Sequence, residues 1–173
     1  MIPPELINKI LAEYILPLDG IHGVAHWARV WENGRRLADR TGAMIEVVEF
    51  FTLLHDARRA NEGRDDGHGR RAAALARDLW KSHLHLSDPE FELLVAACEY
   101  HTDGRTEGDI TVQTCWDADR LDLHRVGIRP KPDFFYTPAA KDRQILTWAI
   151  GRSRRPSAPA WIPQEWGIDL RRH

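Results

Sequence analysis

Cysteine is scarce in this chain of 173 residues, which has only Cys98 and Cys115 and no Cys-x-x-Cys motif. This scarcity argues against a disulfide framework or a cysteine zinc site, and we expect two buried free thiols. Long apolar runs are also lacking, so we expect no membrane-spanning segment and no membrane partner. The first residues show no charged region followed by an apolar stretch, so we expect no signal peptide and a cytoplasmic location.

A strong net charge is absent as well. The formal net charge of -2 provides no overall basic field, which argues against a protein that binds DNA or RNA duplexes. Arginine pairs such as Arg58-Arg59 and Arg70-Arg71 are typical of solvated helix faces, although some of them could contact phosphate. Hydrophobic residues make up 43% of the chain and charged residues 29%, which at this length indicates one globular domain with a sizeable core.

Alternating strand patterns are lacking too, and helical periodicity runs through most of the chain. It predicts helices at residues 5–15, 22–39, 45–56, 69–84, 91–100, 111–123 and 137–150. We therefore predict an all-α fold, a single-domain bundle of about six to seven helices. The domain is expected to span residues 1–152. Residues 153–173 are expected to form an irregular tail whose tryptophans, Trp161 and Trp166, pack on the domain.

A histidine and an aspartate stand together at the end of an apolar run. Residues 47–54 predict a buried helix, and His55-Asp56 follows directly. With nine histidines in the chain, a His-Asp dipeptide is expected about once by chance, so its position carries the argument. The two side chains point about 100° apart around a helix, but both can reach one ion at the helix end. We interpret the pair as half of a metal's coordination shell.

Further potential ligands lie on both sides of this pair. His22 and His26 are four residues apart and share a helical face, so a metal could use both, one or neither. Downstream, Asp117, Asp119 and Asp122 lie within two turns of a helix that is otherwise rich in apolar residues. Buried carboxylates need partners. Those partners are either a metal ion or the abundant arginines.

Together these residues resemble the HD superfamily of metal-dependent phosphohydrolases, in the order His, His-Asp, Asp. Three motifs carry the resemblance, which covers residues 20–125: His22-Gly23-x-x-His26-x-x-Arg29-Val30, Leu53-Leu54-His55-Asp56 and Asp117-Ala118-Asp119-Arg120-Leu121-Asp122. Each motif is weak alone, and their combination in this order is specific. The resemblance implies a helical bundle of the HD-domain type.

The resemblance also implies a set of metal ligands. For a first divalent ion the ligands are His26, His55, Asp56 and Asp119. Two imidazoles and two carboxylates suit Mn, Fe, Mg, Zn, Co or Ni and do not select among them. His22 then supports a ligand or starts its helix. The family's ligand in the last motif is the middle carboxylate, which places it at Asp119.

Two more histidines match those of binuclear members of the superfamily. His68 opens a helix after a glycine-rich loop, and His101 closes another helix. If both bind a second ion, Asp56 bridges the two ions. Otherwise these histidines form hydrogen bonds with the substrate phosphate or the metal-bound water. The resemblance therefore leaves one ion or two open.

The implied function is hydrolysis of a small phosphorylated substrate, a phosphate ester or a nucleotide, by metal-activated water. Phosphoryl transfer depends on positioning and on compensation of negative charge, so cationic groups near the ion should serve the phosphate. Arg59 is the best candidate, because a helix end and a loop can direct its guanidinium back at the ion. Asp56 and Arg59 are therefore the predicted catalytic residues. Arg120 either faces the ion or pairs with Asp117 or Asp122.

Two other functions stay open at this point. One is a binuclear-iron oxygenase of the HD type, because the same six ligands serve oxygen chemistry in some relatives. The other is a regulatory domain without catalysis that binds a metal or nucleotide and signals to a partner. No ligand position is lost, which favours catalysis over regulation. The tail either covers the pocket or forms a contact in a homodimer, and Trp116 could line the pocket and stack a base.

Overall fold

The computed structural model describes residues 2–103, 107–154 and 158–170, which form helices joined by turns and loops. The α-helices are α1 (Pro4–Leu11), α2 (Val24–Thr41), α3 (Ile45–Leu54), α4 (His68–Leu79), α5 (Asp88–Tyr100), α6 (Ile110–Arg120), α7 (Pro138–Lys141), α8 (Arg143–Ser153) and α9 (Ile162–Glu165). Two short 3-10 helices, Leu123–Val126 and Pro132–Phe134, lie between α6 and α7. The described residues form no β-strand, which confirms the prediction of an all-α fold. In the same part of the chain, no helix is long and apolar enough to cross a membrane.

Helix α3 is the centre of the bundle. Its residues from Val47 to Leu54 are all buried, and it packs against α2, α5 and α6. Because α3 is apolar on nearly every side, no face of it is left in water from Val47 onward. Side chains such as Phe51 and Leu53 are fully buried, and each contributes about 1.5 to 3 kcal/mol through the hydrophobic effect. The residues that follow α3 therefore lie deep within the protein.

Local signals determine where several helices begin and end. Gly42, with a φ of 74°, adopts the left-handed conformation that ends α2. Ser87 and Glu90 form a capping box at the start of α5. The Asp109 carboxylate accepts a hydrogen bond from the backbone N–H of Thr111 at the start of α6. These signals matter for function because the ends of the helices carry the candidate ligands.

Four predicted helices end earlier in the structure: α3 at Leu54 rather than at residue 56, α6 at Arg120 rather than at residue 123, and α1 and α4 by a turn or more. Helix α1 ends at Leu11 rather than at residue 15, and Tyr14 beyond it donates a hydrogen bond to a backbone carbonyl of the next loop. Helix α4 ends at Leu79 rather than at residue 84, because Trp80 is extended and stacks on Phe91 with the ring centroids 4.0 Å apart. In both places a tertiary contact of an aromatic residue outweighs the helical periodicity.

The predicted helix at 137–150 is divided in two. The carboxylate of Asp142 accepts hydrogen bonds from the backbone N–H groups of Gln144 and Ile145, so it caps α8 and separates it from α7. Helix α9 adds one turn in the tail. The described residues therefore contain nine α-helices rather than about six to seven.

The described part of the C-terminal tail packs on α2. The indole N–H of Trp161 donates a hydrogen bond to Glu32 at 2.8 Å, and the Trp161 ring lies 4.9 Å from that of Trp31. Trp166 is buried. Residues 155–157 and 171–173 of the predicted tail lie outside the described residues, and the domain boundary after residue 152 stays a prediction.

Gly69 allows α4 and α5 to approach closely. A Cβ atom added there would lie 2.7 Å from the carbonyl oxygen of Glu99 and 2.8 Å from that of Cys98. Because backbone atoms cannot give way, we expect Gly69→Ala to lower the free energy of unfolding by about 1 to 3 kcal/mol in urea denaturation. Gly151→Ala in α8 is the matched control, since its added Cβ would meet no described atom within 4 Å. Equal losses in the two variants would refute the packing argument.

Candidate metal centre

All six predicted metal ligands lie at or near helix ends, and the structure brings them together. They are His26 in the first turn of α2, His55 and Asp56 directly after α3, His68 at the start of α4, His101 directly after α5 and Asp119 in the last turn of α6. All of them are buried except Asp119, whose side chain is 18% exposed. The six side chains form two groups, which share Asp56.

The first half-site consists of His26, His55, Asp119 and the Oδ2 oxygen of Asp56. The Nε2 atoms of His26 and His55 are 3.1 Å apart, and that of His26 is 3.3 Å from Asp119 Oδ1. Asp56 Oδ2 lies 3.5 Å from the Nε2 atom of His26 and 3.6 Å from that of His55. Two ligand atoms that are each about 2.1 Å from one ion lie about 3.0 to 3.5 Å apart, so these separations suit a single ion.

The second half-site consists of His68, His101 and the Oδ1 oxygen of Asp56. The Nε2 atoms of the two histidines are 2.8 Å apart. Asp56 Oδ1 lies 3.3 Å from the Nε2 atom of His68 and 4.0 Å from that of His101. Because each half-site faces a different oxygen of Asp56, this carboxylate has the geometry to bridge two ions.

The hydrogen bonds of the imidazole rings show which nitrogens carry protons. His55, His68 and His101 each direct Nδ1 at a backbone carbonyl oxygen, at distances of 3.1, 2.5 and 2.7 Å. A carbonyl only accepts, so in the neutral ring Nδ1 carries the proton and Nε2 a lone pair. In the second half-site, the lone pairs of two imidazoles and a carboxylate oxygen therefore point toward one another, with Arg59 Nη1 beside them. This donor set fits a divalent transition metal ion.

The two histidines of the first half-site, His26 and His55, differ in pKa. Burial would lower the pKa of His26, and so would the nearby guanidinium of Arg125. Hydrogen bonds to three surrounding carboxylates, that of Asp119 foremost, outweigh these effects and raise the pKa of His26 to about 9. Burial lowers the pKa of His55 to about 3, because Asp56 and Asp119 oppose it only in part. Without an ion, His26 therefore holds a proton at neutral pH.

This proton makes metal binding depend on pH. The pKa of His26 in the folded protein, about 9, lies above its ordinary value of 6.5. Protonation therefore stabilises the metal-free fold fully below pH 6.5, and this contribution is lost as the pH rises through about 9. An ion in the first half-site must displace the proton, so we expect its affinity to rise about tenfold per pH unit across that window. Calorimetric titration with Mn²⁺ measures this, and an affinity independent of pH would contradict it.

Asp122 and His22 support the ligands from outside the two half-sites. Asp122 Oδ2 lies 2.8 Å from His26 Nδ1, and the same carboxylate accepts hydrogen bonds from Arg29 at 2.7 and 3.0 Å. A carboxylate on the far nitrogen of a ligand histidine fixes the ring and makes it a stronger donor to a metal. His22 Nδ1 lies 2.9 Å from Asp56 Oδ2 and orients that carboxylate.

Asp117 has backbone partners instead of arginines. It accepts hydrogen bonds from the N–H groups of Tyr136 and Thr137, and from the hydroxyl of Thr137, at 2.9, 2.8 and 2.7 Å. Asp117 therefore holds the segment before α7 against α6. Trp116 is buried, and its indole N–H donates to the carbonyl of Ala97 at 3.0 Å. Trp116 thus packs in the core, and this position does not support the idea that its ring stacks on a base.

Two arginines near the ligands point in different directions. Arg59 Nη1 lies 3.5 Å from Asp56 Oδ1 and 3.2 Å from His68 Nε2, beside the second half-site. Its remaining nitrogens donate to two backbone carbonyls of the following loop, which hold the guanidinium there. Arg120 instead stacks over the ring of Tyr136 at 4.4 Å and donates to a backbone carbonyl. Arg120 was expected either to face the ion or to pair with Asp117 or Asp122, and this position matches neither expectation.

Two residues beside the half-sites are not among those predicted. Arg125, in the 3-10 helix after α6, places Nη1 3.9 Å from Asp119 Oδ1. Glu62 accepts a hydrogen bond from the backbone N–H of His22 at 3.3 Å. A signal for Arg125 is present in the sequence, since it follows Asp122 by three residues, the spacing of neighbours on one helical face. Glu62 lies in a polar loop, and periodicity does not specify the path of a loop.

Comparison with known proteins identifies the fold. No protein-family model matches the sequence, and no curated protein matches it either. A crystal structure at 1.45 Å of a predicted HD superfamily hydrolase from an uncultured Thermotogales bacterium is similar, with a TM-score of 0.63 and 25% sequence identity. The match covers 86% of this chain and 83% of the other. The chain therefore has an HD-domain fold, as its motifs implied.

Proposed function

We propose that this protein is a metal-dependent phosphohydrolase that acts on a small phosphate ester or nucleotide. The observation that carries the proposal is the position of Asp56, whose two oxygens face two separate pairs of imidazole nitrogens. The similar structure is described as a predicted HD superfamily hydrolase, which supports the reaction class. The retention of a donor at every ligand position favours an enzyme over a regulatory domain.

The residues of the chain would prepare the reaction before any substrate binds. A divalent ion held in this centre would lower the pKa of a bound water toward neutrality and so would supply hydroxide. Asp122 and backbone carbonyls fix the imidazole rings, so their Nε2 atoms converge without rearrangement. Arg59 lies where it can offset the negative charge on a transferred phosphoryl group. Arg59, His68 and Thr102 line a cleft of about 400 Å³, which can hold a phosphate and a small leaving group.

The proposal is tested with protein prepared without chelator. Elemental analysis identifies the bound ions, and chelation followed by addition of Mn, Fe, Mg, Zn, Co or Ni identifies the active one. A panel of phosphate monoesters, diesters and nucleotides is then assayed for phosphate release with and without dioxygen. We expect release that requires the metal and is the same under both atmospheres.

Two outcomes would contradict the proposal, each in a different way. Turnover that stops when dioxygen is removed would identify oxygen chemistry at the same six ligands. A protein that holds its ions stoichiometrically yet releases no phosphate from any member of the panel would be a binding domain rather than an enzyme.

A further inference from the structure

An arginine that the proposed mechanism does not use lies at the edge of the first half-site. Arg125 donates from Nε to the carbonyl of Ile21 at 2.8 Å and from Nη1 to that of Asp122 at 3.3 Å. Its side chain is 5% exposed, and Nη1 lies 3.9 Å from Asp119 Oδ1. The guanidinium is therefore held in one place, next to a ligand carboxylate.

The remaining nitrogen of this guanidinium, Nη2, has an N–H group to spare. It lies 3.3 Å from His22 Nδ1, but that atom is also 2.9 Å from Asp56 Oδ2. A carboxylate oxygen only accepts, so His22 Nδ1 carries a proton of its own and cannot accept one from Arg125. Among the described residues, Nη2 thus faces a donor, and its proton is available to an oxygen of a bound anion.

The charges around the centre also require an anion. Three aspartates are offset by three arginines, in the pairs Asp56 and Arg59, Asp119 and Arg125, and Asp122 and Arg29. The formal charges of these six side chains cancel. The positive charge of bound divalent ions must then be offset by hydroxide and substrate. A phosphate monoester, which is a dianion at neutral pH, does this better than a diester with its single negative charge.

We propose that Arg125 binds the phosphoryl group of the substrate from the Asp119 side and makes the centre select phosphate monoesters over diesters. The inference rests on the proposed function and adds to it a substrate class and a residue that determines it. Arg59 lies 3.5 Å from Asp56, beside the second half-site, and Arg125 lies 3.9 Å from Asp119, beside the first, so the two guanidinium groups adjoin different half-sites. Because Nε and Nη1 of Arg125 already donate to backbone carbonyls, Nη2 is the nitrogen that can donate a charge-assisted hydrogen bond to a phosphate oxygen.

Binding of inorganic phosphate to the Mn²⁺-loaded protein tests the contact without any turnover. In calorimetric titration, Arg125→Gln is expected to weaken phosphate binding about 10- to 100-fold, because a charge-assisted hydrogen bond is lost, while the ion content stays unchanged. Arg125→Lys keeps the charge and should recover part of the affinity. Arg120→Gln is the matched control, since this arginine adjoins Asp119 in sequence but is turned toward Tyr136. We expect the control to bind phosphate like the original protein.

Turnover tests the selectivity. We expect Arg125→Gln to lower kcat/KM for 4-nitrophenyl phosphate about tenfold or more relative to bis(4-nitrophenyl) phosphate, because the monoester dianion gains more from the guanidinium. An equal loss for both esters would overturn the selectivity, and so would loss of ions in the Arg125 variants, which would assign this residue to holding Asp119.

The two proposals fail in distinguishable ways. If the original protein hydrolyses monoesters but Arg125→Gln binds phosphate with normal affinity, the role of Arg125 is wrong and the phosphohydrolase stands. If phosphate binding depends on Arg125 but no ester is hydrolysed, the proposed activity is wrong and the phosphate contact stands.

Discussion

Asp56→Ala is expected to abolish metal binding at both half-sites and to reduce phosphate release to background. The reason is that Oδ2 faces His26 and His55, whereas Oδ1 faces His68 and His101, so one substitution removes a donor from each group. A bound ion supplies several kcal/mol of transition-state stabilisation, and about 1.4 kcal/mol is worth tenfold in rate, so we expect a loss of about 10³-fold or more. Elemental analysis and a phosphate-release assay measure the two effects.

Two further variants make this result specific. Asp39→Ala removes an exposed carboxylate from α2 and should change neither ion content nor rate. Asp56→Asn keeps the shape of the side chain, and its amide oxygen should stay on the Oδ2 side, where His22 donates. The amide N–H₂ group would then face the lone pairs of the second half-site. We expect Asp56→Asn to lose the ion of the second half-site first, and full occupancy of both half-sites would rule out the bridging geometry.

The place of the candidate metal centre could be predicted because the burial of α3 determines where His55-Asp56 lies. Residues 47–54 are apolar on most sides, which predicts that α3 is central and that His55-Asp56 at its end lies deep in the protein. A buried histidine and aspartate need partners, and the histidines and aspartates at other predicted helix ends are the natural ones. Burial alone did not select among these partners: the resemblance to the HD superfamily singled out His26 and Asp119, and the structure places both beside the pair.

The positions of Arg120 and Arg125 could not be predicted from the sequence, because they depend on turns and on the direction of single side chains. Arg120 adjoins Asp119, yet consecutive residues of a helix point about 100° apart, and Arg120 finds the ring of Tyr136 instead. Arg125 lies farther along the chain, but the 3-10 helix Leu123–Val126 returns it to Asp119. Its position also depends on the carbonyl of Ile21, a contact between distant segments that no local pattern encodes.

The division between α7 and α8 has a different cause. The apolar periodicity of residues 137–150 continues through the break, so the pattern alone favours one helix. Asp142 competes with that pattern because its side chain can bond to the backbone N–H groups that follow it. Whether this segment forms one helix or two depends on how the two short helices pack, and the spacing of apolar residues does not contain that information.

His101→Ala is expected to remove one ion per chain and leave the other in place. His101 contributes Nε2 to the second half-site only, 2.8 Å from His68 Nε2, while the four donors of the first half-site are untouched. We expect the rate of phosphate release to fall about 10²- to 10³-fold, the effect of losing one electrostatic group that acts on the transition state. Elemental analysis should show a change from two ions to one, with His85→Ala, which changes an exposed histidine, as the control.

A protein that holds one ion both before and after the substitution has a mononuclear centre. In that case His68 and His101 act as hydrogen-bonding partners of the substrate, and the rate would fall without any change in metal content.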